Sequence, residues 1–397
     1  MNTTEQVTCS KCVMDTSASD IYFDEAGVCN YCHQFSSMEH EYPVGEMGKI
    51  KLEKIVEEIA ASGKGKPYDC LVGISGGTDS MYTLLMTVKY GLRPLAVHFD
   101  NGWNGEIAVS NIFNALKILN LDLETFVVDW EEFKDIQLSF LKASVPEVET
   151  PTDMGIRAVL YKTAAALNIN YIIEGTNFRA EGIVPKVWGY KDGRYIKSVH
   201  ARYGVVPMST YPNVTLTNYI YYNFAKRIKL VRFLNYLEYD KAPAKEILKE
   251  QLAWRDYGAH HAESVYTRFF QYYLAPIKFN MDRKKVTLSA LVRREKISRE
   301  EALLILQKND YLAGDYENDK KYISKKLGIS LDEFERIISQ PPRSFFDYES
   351  YYRLLKIAEP IIYYAHKLKI VSGVFQGGRF TNVYRDSHPS SDQIGPK

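Results

Sequence analysis

Apolar and polar residues alternate along the first half of the chain in two distinct periods. Short runs of continuous apolar character, Cys70–Ile74, Leu95–Phe99, Thr125–Val128 and Tyr171–Ile173, read as buried strands. Between them lie segments with apolar residues at helical spacing, around Met81–Tyr90, Ile107–Leu119 and Ile156–Leu167. Strand and helix in alternation predict an α/β fold, a parallel sheet with helices on both faces. Upstream, Lys49 to Ala61 reads as a helix carrying Ile50, Leu52, Ile55, Val56 and Ile59, and Gly63-Lys64-Gly65-Lys66-Pro67 ends it. Beyond Tyr219 the period becomes helical throughout, and Ser298-Arg299-Glu300-Glu301 and Ser330-Leu331-Asp332-Glu333 have the form of capping boxes.

The organisation expected is a module at 1–48, an α/β domain at 49–215, an all-helical domain at 216–372 and a mobile tail at 373–397, where little is available to bury. There is no internal repeat. The first strand empties into Ser75-Gly76-Gly77-Thr78-Asp79-Ser80, and a helix opens directly behind it. Glycines allow backbone conformations that a Cβ forbids, and a turn at a helix N-terminus presents N–H groups to an anion. A phosphorylated ligand is expected there. In open parallel sheets ligands collect at the carboxyl ends of the strands. His98, Asp100 and Asn101 stand at the second such end, and Glu174-Gly175-Thr176-Asn177 at the fourth.

Four of the five cysteines are spaced Cys9-x2-Cys12 and Cys29-x2-Cys32, a metal-knuckle pattern. Asp24-Glu25-Ala26-Gly27 is the expected turn that folds one knuckle onto the other. Four thiolates close a tetrahedron, so a structural zinc is expected, with an iron–sulfur cluster as the alternative and disulfides disfavoured in a cytosolic setting. His33 and His40 read as surface residues. Cys70, in the first strand, reads as a small buried hydrophobe.

Composition narrows the setting. The chain has 397 residues, 46% hydrophobic and 25% charged, with 50 basic and 49 acidic residues and a net charge of +1. That balance disfavours a polyanionic partner such as tRNA or DNA. No apolar run reaches 18 residues, and Met-Asn-Thr-Thr-Glu-Gln lacks the features of a signal peptide, so a cytoplasmic protein without membrane association is expected. The 30 tyrosines read mainly as half-buried packing residues.

Ser75 to Ser80 resembles the SGGxDS loop of the N-type ATP pyrophosphatases, the PP-loop superfamily, and lacks the lysine of a Walker A motif. The N-terminal stretch Cys9-Ser-Lys-Cys12-Val-Met-Asp-Thr16 with Phe23 to Cys32 is similar to that of the N-acetyl sugar amidotransferases of bacterial surface-polysaccharide synthesis. So is Trp254 to Ser264, followed by Thr267 to Gln271 and Lys278-Phe279. The family pattern carries lysine where His260 stands.

The resemblance implies an adenine nucleotide alpha hydrolase-like fold. It also implies an ATP-dependent, AMP- and pyrophosphate-forming enzyme that turns the acetamido group of a nucleotide sugar or nonulosonic acid into an acetamidino group. Lipopolysaccharide O-antigen, capsule or flagellin glycan would be the destination. ATP and Mg2+ would be required, and the residues that follow are placed accordingly. Backbone groups of Gly76, Gly77 and Thr78 with the Ser75 and Ser80 hydroxyls would cradle pyrophosphate. Asp79 would cap the helix or hold Mg2+. His98, Asp100, Gly175 and Thr176 would border the nucleotide. Asn177 and Glu181 are candidate catalytic residues beside Asp79, and Trp188, His261, Glu263, Lys278 and Arg283 are candidates for the substrate. With four cysteines committed to a metal, the chain lacks a glutaminase nucleophile. Ammonia would come free or from a separate pair resembling the glutaminase and cyclase subunits of imidazole glycerol phosphate synthase. A tRNA-modifying enzyme of the thiolation type, and a scaffold that only senses nucleotide, are the competing readings.

Overall fold

The computed structural model describes residues 6–256, 264–308 and 315–367. Five strands form one parallel sheet: β1 Cys70–Ile74, β2 Pro94–Asp100, β3 Leu123–Val127, β4 Tyr171–Glu174 and β5 Lys229–Arg232. Their order is β3-β2-β1-β4-β5, with Cys70 beside Pro94, Leu71 beside Ile172 and Tyr171 beside Lys229. Strand β5 lies past Tyr219, where the sequence pattern reads as helix alone. It carries only four residues, Lys-Leu-Val-Arg, too few to establish a period.

Alternate strand residues feed two separate cores. Leu71, Leu95, Val97, Phe99 and Ile172 point to one face, while Cys70, Val72, Ile74, Ala96 and Ile173 point to the other. Seven helices matter for the site: α1 Asn30–Glu41, α2 Gly45–Ser62, α3 Thr78–Lys89, α4 Glu106–Leu119, α5 Trp130–Ala143, α6 Thr150–Ala166 and α7 Phe178–Glu181. Helices α2, α3 and α4 supply Leu52, Ile59, Met81, Leu84, Leu85, Ile112 and Leu116 to the second core. Helices α5 and α6 supply Phe133, Ile136, Phe140, Ala158 and Tyr161 to the first. Burying both faces explains why the inner strands β1, β2 and β4 read as near-continuous apolar runs.

The C-terminal half is built of helices after β5, from Lys241–Leu252 to Tyr352–Lys367. Ser298 and Ser330 cap theirs, accepting hydrogen bonds from the Glu301 and Glu333 amides. The four cysteines sit in the N-terminal module, whose Asp24–Gly27 turn is closed by the Gly27 N–H donating to the Asp24 carbonyl at 2.9 Å. No helix among the described residues is long and apolar enough to cross a membrane. The tail from 368 onward lies outside the described residues.

Candidate functional site

The chain leaves β1 for α3 on one side and reaches β4 from the other, so the C-terminal ends of β1 and β4 flank a topological switch point. The Ser75–Ser80 turn sits there, and packing fixes its shape. Gly76 has φ +79°, and a Cβ on it would stand 2.3 Å from the Ala108 carbonyl oxygen of α4. Its own carbonyl accepts from the Trp254 indole N–H at 3.0 Å and from Asn111 Nδ2 at 3.3 Å. The Ser75 and Ser80 hydroxyls are 3.1 Å apart, and Ser80 Oγ accepts the Ser75 amide at 3.1 Å. Across the cleft, Gly175 brings β4 so close that a Cβ would meet the Asp79 carbonyl at 2.9 Å. Helix α3 has no side-chain cap, leaving its first amides for an anion.

Asp79 does not cap α3, whose N-cap is Gly77. Its carboxylate accepts from the Tyr239 hydroxyl and pairs with Lys241 at 3.0 Å, which anchors the C-terminal half to the turn. Asn177, expected to be catalytic, caps α7 by accepting from the Ala180 amide and donates Nδ2 to the Leu234 carbonyl at 2.6 Å, so both ends of its amide are engaged. Asp100 shapes its own turn by accepting from the Gly102 amide at 2.9 Å. His98 donates from Nδ1 to the Ile74 carbonyl at 3.0 Å, which leaves Nε2 to accept from Asn104 at 3.2 Å.

A cavity of about 1700 Å³ begins at Ser75 and Ser80 and passes His98, Asn101 and Asn104. Gly175, Thr176, Asn177, Glu181 and Arg283 also line it. Thr176 donates to Glu174, whose carboxylate lies 3.7 Å from the Arg232 guanidinium. Trp188 is absent from this wall; it is 3% exposed within the core. Lys278 also stands apart, with its ammonium 5.5 Å from the Phe279 ring centroid and burial lowering its pKa to about 8. His260, His261 and Glu263 lie outside the described residues.

Sequence reasoning missed the acidic wall. Glu147 and Glu149, both over nine-tenths buried, precede α6, with Asp153 one turn inside it. Arg283 Nη2 donates to Glu147 at 2.8 Å, and Lys191 pairs with Asp153 and lies 3.6 Å from Glu147. Thr267 Oγ1 donates to Glu149 at 2.8 Å. Burial pushes the Glu149 carboxyl up to about 8, helped by the charge of Asp153 and opposed by the Thr267 hydrogen bond. These residues come from four separate segments, and only the Glu147-Val-Glu149 pair ahead of Pro151 is adjacent in sequence.

The cysteine Sγ atoms all lie within 4.8 Å of one another, with Cys12–Cys29 and Cys29–Cys32 at 3.7 Å and Cys9–Cys32 at 3.9 Å. The Lys11, Met14 and Cys29 amides donate to these sulfurs at 3.2–3.5 Å. Arg293 adds its guanidinium, donating to Cys32 at 3.2 Å and Cys12 at 3.3 Å. Such a cluster is compatible with a metal ion. Lys285 pairs with Asp15 at 2.5 Å, so one helix, Arg283–Arg293, touches the cysteine frame and also supplies Arg283 to the cavity.

Residues 263–360 match the family model for the C-terminal domain of WbpG-like lipopolysaccharide biosynthesis proteins. A curated relative, an uncharacterized protein of Methanocaldococcus jannaschii, is 32% identical over 132 residues, which is 32% of this chain and 45% of the relative. The chain thus spans about half the length of that relative. Among solved structures, the NH3-dependent NAD synthetase of Campylobacter jejuni overlaps with 33% of this chain and 58% of its own, at 21% identity and a TM-score of 0.25. The NMN synthetase of Francisella tularensis overlaps with 56% and 92%, at 14% identity and 0.28. The U34-tRNA thiolase NcsA of Methanococcus maripaludis, solved with its [4Fe-4S] cluster, overlaps with 84% and 89%, at 13% identity and 0.29. Thr267, Gln271, Arg283, Lys284 and Thr287, which line the cavity, fall within the matched family segment. Residues 263–360 are thus similar to a WbpG-like C-terminal domain, and they follow a five-stranded parallel α/β sheet whose first strand empties into the Ser75–Ser80 turn.

Proposed function

We propose that the protein is an ATP-dependent amidotransferase acting on an N-acetylated sugar of surface-polysaccharide synthesis. One observation carries the reading: a single cavity is lined both by the Ser75–Ser80 turn and by residues of the WbpG-like segment. Its volume of about 1700 Å³ exceeds the roughly 300–1,000 Å³ of a site for one small ligand. It has room for a nucleotide and a sugar side by side.

An amide oxygen is a poor leaving group, and adenylation makes it a good one. ATP is attacked at its α-phosphorus by the acetamido oxygen, pyrophosphate departs, and ammonia displaces AMP from the resulting imidate. The turn amides and the Ser75 and Ser80 hydroxyls hold the departing pyrophosphate, and the uncapped end of α3 favours its charge. His98 and Asn104 border the adenosine side, with the imidazole fixed in one tautomer by the Ile74 carbonyl. Glu181 stands on the sugar side of the cavity. Asp79 does not fit Mg2+, since Tyr239 and Lys241 already occupy its carboxylate.

The cysteine frame fits zinc. Four sulfurs bonded to one ion at about 2.3 Å stand about 3.8 Å apart in a tetrahedron, as the 3.7–3.9 Å separations here do. A four-iron cluster puts each cysteine on a different iron and spreads the sulfurs wider. The zinc would be structural, holding the module against the helix that carries Arg283.

Ammonia is made elsewhere. Cys70 is fully buried and its thiol is pushed up by that burial, so outside the metal frame no cysteine is a usable nucleophile. This also weighs against a sulfur-transfer reaction. A separate glutaminase would deliver ammonia. The test is pyrophosphate release from ATP in the presence of ammonium and a panel of acetamido sugars, with mass spectrometry to detect exchange of oxygen for NH. Strict dependence on tRNA would overturn the reading.

A further inference from the structure

With all three of its carboxyls ionised, the acidic wall of the cavity carries one negative charge more than its paired cations, and Glu149, raised by burial to about 8, is the carboxyl that gives that charge up at neutral pH. Glu147, Glu149 and Asp153 face only Lys191 and Arg283 as cations among the described residues. Oε2 of Glu147 and Oε2 of Glu149 are engaged, by Arg283 and Thr267 respectively. Oε1 of each is buried and meets no hydrogen-bond partner among the described residues. A buried acceptor without a donor costs free energy, and two in one cluster call for a ligand that donates. The Tyr266 hydroxyl, close enough to feel both carboxylates, is likewise buried without a partner.

We infer that Glu147 and Glu149 bind ammonium at this wall of the cavity, and that Glu149 accepts the proton that frees ammonia for attack. The inference rests on the amidotransferase reading for its role, though the binding site itself does not. A small tetrahedral cation with N–H donors on every side matches the unmet needs of the site with Glu149 ionised: one positive charge and donors for two carboxylate oxygens. Potassium or sodium would supply the charge without the hydrogen bonds. A carboxyl already poised near neutrality takes the proton readily. In the step itself, ammonium transfers a proton to the Glu149 carboxylate. The ammonia nitrogen then bonds to the imidate carbon, the bond from that carbon to the AMP oxygen breaks, and AMP leaves as the anion. The product is the amidinium, and Glu149 releases its proton to solvent before the next ammonium binds.

The experiment uses the full chain and needs no sugar. Thermal unfolding is followed across a titration of ammonium chloride against sodium and potassium chloride at matched ionic strength. Ammonium should raise Tm in a saturable way that the other salts do not reproduce. Glu149→Gln should abolish the rise, and Thr267→Val, which removes only the hydrogen bond to Glu149, should weaken it. An equal response to potassium, or an ammonium response retained by Glu149→Gln, would overturn the inference. Where amidination is measurable, Glu149→Gln should raise KM for ammonium by about tenfold or more, the loss of one charged hydrogen bond, while KM for ATP stays within about twofold. Ammonium binding without amidination of any acetamido sugar would sink the functional reading alone. Amidination with an unchanged ammonium KM in Glu149→Gln would sink this inference alone.

Discussion

Two parts of the cavity wall, the Ser75–Ser80 turn and the Glu147–Glu149 cluster, are built on opposite principles. At the Ser75–Ser80 turn the ligand meets backbone: amides of an uncapped helix and a glycine held at φ +79° against α4. Formal charge there is withdrawn, since Asp79 is paired with Lys241. At the acidic cluster a ligand would meet side chains, the buried Glu147 and Glu149 with the partly exposed Asp153, Lys191 and Arg283, with charges in near-balance. A backbone site tolerates any phosphate and depends on fold geometry alone. A side-chain site selects by charge and hydrogen bonds, so specificity is expected at the acidic cluster and nucleotide binding at the turn.

Gly76→Ala tests this contrast most severely. Its Cβ would collide with the Ala108 carbonyl in a conformation alanine disfavours. Nucleotide affinity, measured by calorimetry, should fall by about a hundredfold or more, with ammonium stabilisation retained. Loss of both would mean that the two parts are not separable.

Metal removal should act in the opposite sense. The cysteine frame is tied to the helix bearing Arg283 through Arg293 and Lys285, and Asp20 of the same module accepts from the Lys186 amide on the cavity wall at 3.0 Å. If the frame holds the proposed zinc, Cys29→Ser should lower bound metal by elemental analysis, lower Tm by about 5 °C or more, and impair sugar and ammonium binding more than ATP binding. Arg293→Met should leave the ligands in place but shorten metal retention against a chelator.

Trp254→Phe removes one donor to the Gly76 carbonyl. That loss is worth about 1 kcal/mol, so KM for ATP should rise about fivefold with the ammonium response unchanged.

The smallest effect is on pH dependence. The Glu149 carboxyl is raised in the folded state to about 8, mainly by burial. Its contribution to stability is therefore fully present below its unfolded pKa, near the ordinary 4.5, and is lost as pH rises through about 8. Glu149→Gln should flatten the decline in Tm across that window; an unchanged slope would place the titration elsewhere.

The same contrast explains what the sequence discloses. Strands β1, β2 and β4 are legible because both their faces are buried and their apolar runs are bounded by turns, whereas β3, Leu-Glu-Thr-Phe-Val at the sheet edge, is mostly exposed and offers only a short apolar stretch. The Ser75–Ser80 turn and the four cysteines are legible because each is written within a few consecutive residues. Strand β5 is too short to show a period. The roles of Trp188 and Asn177 depend on which way a side chain turns, into the core for one and onto the Leu234 carbonyl for the other. Nothing in the local pattern records that. The acidic cluster is assembled from residues 147–153, 191, 267 and 283, so only the folded chain brings it together.

The central claim is that one cavity joins ATP cleavage to amination of a sugar. It is tested most directly by pyrophosphate release from ATP, measured with purified protein while ammonium and a panel of N-acetylated sugars are added separately and together. Release that requires both, accompanied by an acetamidino product, is the expected result. Release that ignores the sugar, or that requires tRNA, would contradict it.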